Sequence, residues 1–168
     1  MNNPEKQFSK IYDQYISKIY RFVLLKVSSQ EVAEDISSRV FMKGWEIFRK
    51  DVDKIENPKA FLYKVARNMV IDHYREKGRT KTVSADAIPN LIPDPRTSIY
   101  DRAITNAEMD KVRVALAGLS DDYQNVVIWH YLDDLSIKET AKLLDRSEDA
   151  TRVLLSRALG SLRERLTS

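Results

Sequence analysis

The chain has no cysteine, which excludes disulfides and thiolate metal sites. Its two histidines, His73 and His130, are too few and too far apart in sequence to suggest a metal centre, and nothing calls for a cofactor. Glycine and proline are also scarce, at 4 and 5 in 168 residues, and no run of alternating β-branched residues occurs. Helix formers fill the remainder, so the expected fold is all-α. No apolar run approaches the ~18 residues of a membrane span. The polar start MNNPEKQ does not resemble a signal peptide, so the chain is expected to be soluble and cytoplasmic, without membrane insertion. With 43% hydrophobic and 32% charged residues, it has enough apolar material for one ordinary domain or two small ones.

Charge of either sign is plentiful but unevenly placed. Residues 1–79 hold 16 Lys and Arg against 11 Asp and Glu, residues 80–105 hold 3 against 3, and residues 106–168 hold 9 against 11. The basic excess sits in the first half, which points to a nucleic-acid role there.

Within that half, Asn57 to Arg79 (NPKAFLYKVARNMVIDHYREKGR) is the most informative stretch. Asn57 can cap free backbone N–H groups, Pro58 suits a first helical position, and Gly78 behind Arg75 and Lys77 marks an expected end. At 100° per residue, Phe61, Leu62, Val65, Ala66, Met69 and Val70 form a core stripe. The other side is read as Tyr63, Lys64, Arg67, Asn68, Ile71, Tyr74 and Arg75. Cations suit phosphates and flat rings suit exposed bases, so this row has the chemistry of a site for single-stranded or opening nucleic acid. A solvated outer face is the alternative reading of the same pattern.

Before this stretch, residues from Phe8 to Val27 repeat apolar positions at helical spacing. Ser28 and Glu31 have capping-box spacing, which predicts a second helix of about five turns. Its outer face carries Asp35, Ser38, Arg39, Met42, Trp45 and Glu46, and two large apolar residues among charges hint at a protein partner. From Thr80 to about Thr105 the periodicity fails around Pro89, Pro93 and Pro95, which predicts a flexible linker between domains 1–79 and 106–168. Beyond it, helical spacing runs from Asn106 to Leu119 and Ser120 caps a helix through Leu132. A capping box at Ser136 and Glu139 opens the next helix, and a turn at Asp145-Arg146-Ser147 leads into the last. Two helices across a turn of about three residues match the helix-turn-helix plan.

Asn57-Pro58-x-Ala60-Phe61-Leu62-Tyr63-x-Val65-Ala66-Arg67-Asn68-x-x-x-Asp72-x-x-Arg75 resembles the promoter-melting segment of bacterial RNA polymerase sigma factors of the extracytoplasmic-function group. Ala33-Glu34-Asp35-Ile36-x-x-x-Val40-Phe41-x-x-x-Trp45 is similar to that family's polymerase-docking helix. Leu119-Ser120 and Leu135-Ser136-x-x-Glu139-x-Ala141-x-x-Leu144 resemble its domain for the minus-thirty-five element. The resemblance spans nearly the whole chain in the right order. It implies a sigma factor that binds core RNA polymerase, through the β′ coiled coil and the β subunit, and directs promoter-specific initiation, including capture of a minus-ten strand. Promoter DNA is then the second partner, and an anti-sigma factor is a further candidate.

The same resemblance assigns roles by position. Tyr63, Lys64, Arg67, Asn68, Tyr74 and Arg75 would meet minus-ten DNA, with Asn68 recognising a base, the cations facing phosphates and the two rings stacking. Asp35, Ser38, Arg39, Met42 and Trp45 would meet polymerase, although the family usually has Gln then Glu where this chain has Ser38 and Arg39. Arg146, Ser147, Thr151, Arg152, Ser156 and Arg157 would meet minus-thirty-five DNA. Here Asp145 replaces a usual Gly, Glu148 and Asp149 open the recognition helix, and Val153 and Leu154 replace polar or basic residues. A two-domain helix-turn-helix regulator that does not dock on polymerase is the alternative. No enzymatic activity is expected, because the adjacent pair Asp72-His73 lacks a nucleophile, a metal cluster or an orienting group.

Overall fold

Every regular element is helical in the computed structural model, which describes residues 3–79 and 107–167. They fall into two units, one within residues 1–100 and one within 101–168. The expected linker, 80–105, and the expected helix start at Asn106 lie outside the described residues.

The first unit is a three-helix bundle. Helix α1 (Pro4–Val27) begins four residues before the expected Phe8, because Asn3 and Pro4 repeat the cap-and-proline signal of Asn57 and Pro58; the Glu5 N–H donates to Asn3 Oδ1 at 2.9 Å. Its last N–H, that of Ser28, still donates to the Leu24 carbonyl at 2.9 Å, and the left-handed backbone of Ser28 (φ 54°) then turns the chain out of the helix. Ser29, not Ser28, therefore caps α2 (Gln30–Lys50), accepting from the Val32 N–H at 3.3 Å. Helix α3 (Pro58–Arg79) is capped as expected, with the Ala60 N–H donating to Asn57 Oδ1 at 3.1 Å. Gly78 does not end it, since α3 runs through Arg79 and no glycine among the described residues has a positive φ.

Each helix packs on the other two. Ile19, Phe22, Val23, Ile36, Val40, Leu62, Tyr63 and Ala66 are almost wholly buried between them. At Gly44 of α2, an added Cβ would lie 3.3 Å from Phe8 Cζ and 3.5 Å from Leu62 Cδ2. The absent side chain sets how closely α2 approaches its neighbours.

The second unit opens with α4 (Ala107–Ala117) and α5 (Asp121–Val126), the latter capped by Ser120. The chain then continues as a π-helical segment, Val127–Leu132, where regular α-helix is expected from sequence. This wider turn holds Val127, Ile128 and Trp129 fully buried. The Leu135 N–H closes it by donating to the Trp129 carbonyl at 2.8 Å. Helix α6 (Ile137–Leu144) starts with the expected capping box: the Glu139 N–H donates to Ser136 Oγ and the Ser136 N–H to Glu139 Oε1, both at 2.9 Å. Asp145 turns the chain in a left-handed conformation (φ 55°), and α7 (Glu148–Thr167) follows. Helices α4, α5 and α6 all pack on α7, whose buried residues Thr151, Ala158 and Leu162 mark its inner side.

Candidate nucleic-acid and polymerase interfaces

On α3, the structure divides the expected nucleic-acid row. Lys64, Asn68 and Arg75 are exposed along one side, with Arg67 half-buried beside them. Their spacing of four and seven residues keeps the three together on the helix surface. Arg75 is loosely held by Asp72 at 3.8 Å, with both side chains well exposed, so the ion pair adds little. Tyr63 does not belong to this face. It is wholly buried, and its ring meets Phe22 of α1 edge to face, so it has no free surface on which a base could stack. Tyr74 is 45% exposed, while its hydroxyl donates to the Lys26 carbonyl at the end of α1. That bond fixes a ring that remains accessible on the edge of the cationic face.

Beside this row, a cleft of about 270 Å³ opens between α2 and α3. Glu31, Asp35, Arg39, Asp72, His73 and Glu76 contribute to its lining. The pKa of His73 is held below its ordinary value, first by partial burial and then by the charge of Lys77, with Glu76 acting in the opposite sense.

The expected polymerase face of α2 is mostly present as an exposed surface. Asp35, Ser38 and Arg39 are exposed, and Met42 is 62% exposed, a large thioether with no core to fill. Arg39 Nη1 lies 3.6 Å from Asp35 Oδ2, so the reversed charge is partly answered within its own helix. Trp45 departs from the expectation. It is half-buried, with its ring 5.6 Å from that of Phe8, so part of it is bundle packing.

In the second unit, the six residues expected to face DNA separate into two groups. Arg152, Ser156 and Arg157 are exposed on α7. Thr151 is wholly buried, and its hydroxyl donates to the Ser147 carbonyl at 2.8 Å, so it belongs to the core. Ser147 caps α7, accepting from the Ala150 N–H at 3.0 Å. Arg146 reaches back to Asp122 at 2.6 Å, pinning the turn between α6 and α7 to the earlier helix α5.

Two residues not named for DNA from sequence share the exposed side. Asp149, Arg152, Val153, Ser156 and Arg157 lie at i, i+3, i+4, i+7 and i+8, opposite the buried stripe, and all five are exposed. Applying that spacing to α7 alone would have found Asp149 and Val153. The Asp122–Arg146 pair had no such signal, since its partners stand 24 residues apart.

The geometry agrees with two family matches. Residues 11–80 match the model for Sigma-70 region 2, and residues 109–162 match that for Sigma-70, region 4. The ECF RNA polymerase sigma factor SigM of Bacillus subtilis is 30% identical over 154 residues, which cover 89% of this chain and 88% of that protein. The ECF RNA polymerase sigma factor BldN of Streptomyces coelicolor is 27% identical, over 92% of this chain but only 58% of its own length. Among solved structures, the sigma factor RpoE of Bartonella quintana, in complex with the anti-sigma factor NepR, has the same fold. Its TM-score is 0.75 at 21% identity, covering 96% of this chain and 98% of that one. With two sigma-70 regions in order and a relative aligned over nearly its whole length, the chain belongs to the ECF family of RNA polymerase sigma factors.

Proposed function

We propose that this chain binds core RNA polymerase through α2, captures a minus-ten strand on α3 and places α7 in the major groove of a minus-thirty-five element. One observation carries the reading: both sigma-70 regions are present in order, and each exposes a face with the matching chemistry. Sigma factors act by binding rather than by catalysis, and each contact here is a binding contact.

Lys64, Arg67 and Arg75 supply charge for phosphates, and Asn68 supplies an amide with both donor and acceptor for a base edge. Tyr74 is the stacking ring that remains. On α2, Asp35, Ser38, Arg39 and Met42 form the polymerase face, with the accessible part of Trp45 at its border. On α7, Arg152, Ser156 and Arg157 reach DNA, while Arg146, Ser147 and Thr151 shape the turn and seat the helix. Residues 80–105 link the two domains, 1–79 and 106–168. An anti-sigma factor is a fitting regulatory partner, since the similar Bartonella quintana protein forms a complex with one.

No helix among the described residues is long and apolar enough to cross a membrane, in keeping with a cytoplasmic partner of polymerase. A regulator that never meets polymerase is less well supported, because residues 11–80 match region 2 alongside the match to region 4. Reconstitution with core polymerase and run-off transcription tests the choice. Co-elution and a promoter-dependent transcript are expected; DNA binding without either would overturn the reading.

A further inference from the structure

The reading face of α7 carries a carboxylate next to a guanidinium. Asp149 is 96% exposed, and its Oδ1 lies 3.0 Å from Arg152 Nη1. Arg152 also lies 3.8 Å from Glu148, so it is held from the N-terminal side of the helix. The start of α7 is itself fixed, by the Ser147 cap and by the Arg146–Asp122 ion pair across the turn. A carboxylate that served only as a helix-terminal charge could lie at any angle around the axis. Asp149 instead falls in line with Arg152, Val153, Ser156 and Arg157, the side of the helix facing away from the core.

In a helix-turn-helix domain, the N-terminal residues of the recognition helix meet base edges. The major groove offers few donors from which an ionised carboxylate can accept. Cytosine presents the N4 amino donor alone, adenine sets its N6 donor beside the N7 acceptor, and guanine N7 and O6 and thymine O4 are acceptors that repel a carboxylate. Guanine in turn is the base that an arginine fork reads best. Residues three apart rise about 4.5 Å along a helix, close to the roughly 3.4 Å separating neighbouring bases of one strand. A carboxylate has two oxygens, so one can keep its bond to Arg152 while the other accepts from a base.

We propose that Asp149 is a specificity-determining residue. It accepts a hydrogen bond from cytosine N4 next to a guanine read by Arg152, and it excludes guanine and thymine from the cytosine position. The proposal rests on α7 being the minus-thirty-five reader, and it deepens that reading by naming the base step recognised. It also gives the acidic start of the helix a use. Asp149 lowers affinity for DNA in general and raises discrimination among sequences, which is how specificity arises as a difference between affinities.

The test is selection by holoenzyme, full-length chain with core polymerase, from promoters randomised upstream of a fixed minus-ten element. Wild type should enrich a cytosine adjacent to a guanine by about tenfold or more. Asp149→Ala should lose the cytosine preference and keep the guanine. Asp149→Asn should move the preference from cytosine to adenine, the base whose N6 and N7 suit an amide. Arg152→Ala should lose the guanine. Retention of cytosine by both Asp149 variants would overturn the proposal. So would loss of the guanine preference alone in Asp149→Ala, which would make Asp149 a positioning residue for Arg152. Failure of the underlying reading looks different: wild type would enrich no upstream base at all, and the proposal would fall with it.

Discussion

Tyr63 of α3 and Phe22 of α1 meet edge to face, with ring centroids 5.8 Å apart and planes at 65°. Both side chains are wholly buried. The contact makes Tyr63 a structural residue, in contrast to Asn68, which lies further along α3 and is exposed. Tyr63→Ala should lower stability by about 3 kcal/mol or more, the usual cost of emptying an aromatic site. Asn68→Ala and Lys64→Ala should leave stability within about 0.5 kcal/mol and slow promoter opening. Thermal melts and permanganate footprinting of the open complex measure the two effects separately. Normal opening by both exposed-site variants would remove this face from the minus-ten site.

Arg39 stands where the family usually carries an acid, and it is exposed beside Asp35. Arg39→Glu restores the family's charge and should tighten binding to core polymerase at least severalfold at low salt. The repulsion that the substituted carboxylate would meet from Asp35, one turn away on the same helix, is worth only about 0.2–0.5 kcal/mol, so folding should be little affected. Identical titration curves for the two proteins would mean that polymerase does not contact this part of α2.

Asp145 holds a left-handed backbone at φ 55° between α6 and α7. Side-chain-bearing residues are disfavoured there by roughly 1–2 kcal/mol, less for Asp than for most. Asp145→Gly should therefore stabilise the second unit by about 0.5–1 kcal/mol, and Asp145→Val should destabilise it. Urea unfolding of the full chain in a Trp45→Phe background, which leaves buried Trp129 as the single tryptophan, reports both changes.

His73 titrates below its ordinary value of 6.5 in the folded state, because burial and Lys77 disfavour its cation. The unfolded chain therefore binds more protons as pH falls through that window. The stability contribution is fully present above the unfolded value and is lost as pH falls through the folded one. His73→Gln should flatten the fall in melting temperature between about pH 7.5 and about pH 5.5. An equally steep fall in the variant would place the acid sensitivity elsewhere.

The caps at Asn57, Ser120 and Ser136 were legible in the sequence because a cap is a local event, complete within four residues. At Ser28 and Ser29, two adjacent hydroxyls can each play the cap, and only the left-handed turn that ends α1 selects the second. Tyr63 was misplaced for a different reason. It lies seven residues before Val70, two turns away on the same side, but a single stripe drawn for one neighbour leaves it outside. Because α3 packs on both α1 and α2, its buried arc is wider and takes Tyr63 in. The same width hides Thr151, since α7 packs on three helices. The π-helical segment at Val127 had no sequence signal, because its wider turn follows from how Val127, Ile128 and Trp129 are accommodated in the core.

Ser28 ends α1 and Ser29 begins α2, so no residue between those two helices is free of a capping duty. The corner therefore works like a keyed shaft, transmitting the rotation of one helix to the next. One inserted residue that joined α2 would turn every later side chain of that helix by about 100°. Met42 would swing away from solvent and Gly44 away from Phe8. Natural variation in length should thus be barred from this corner and tolerated instead in the Asp51–Asn57 loop, whose residues are mostly exposed and where several positions bear no cap.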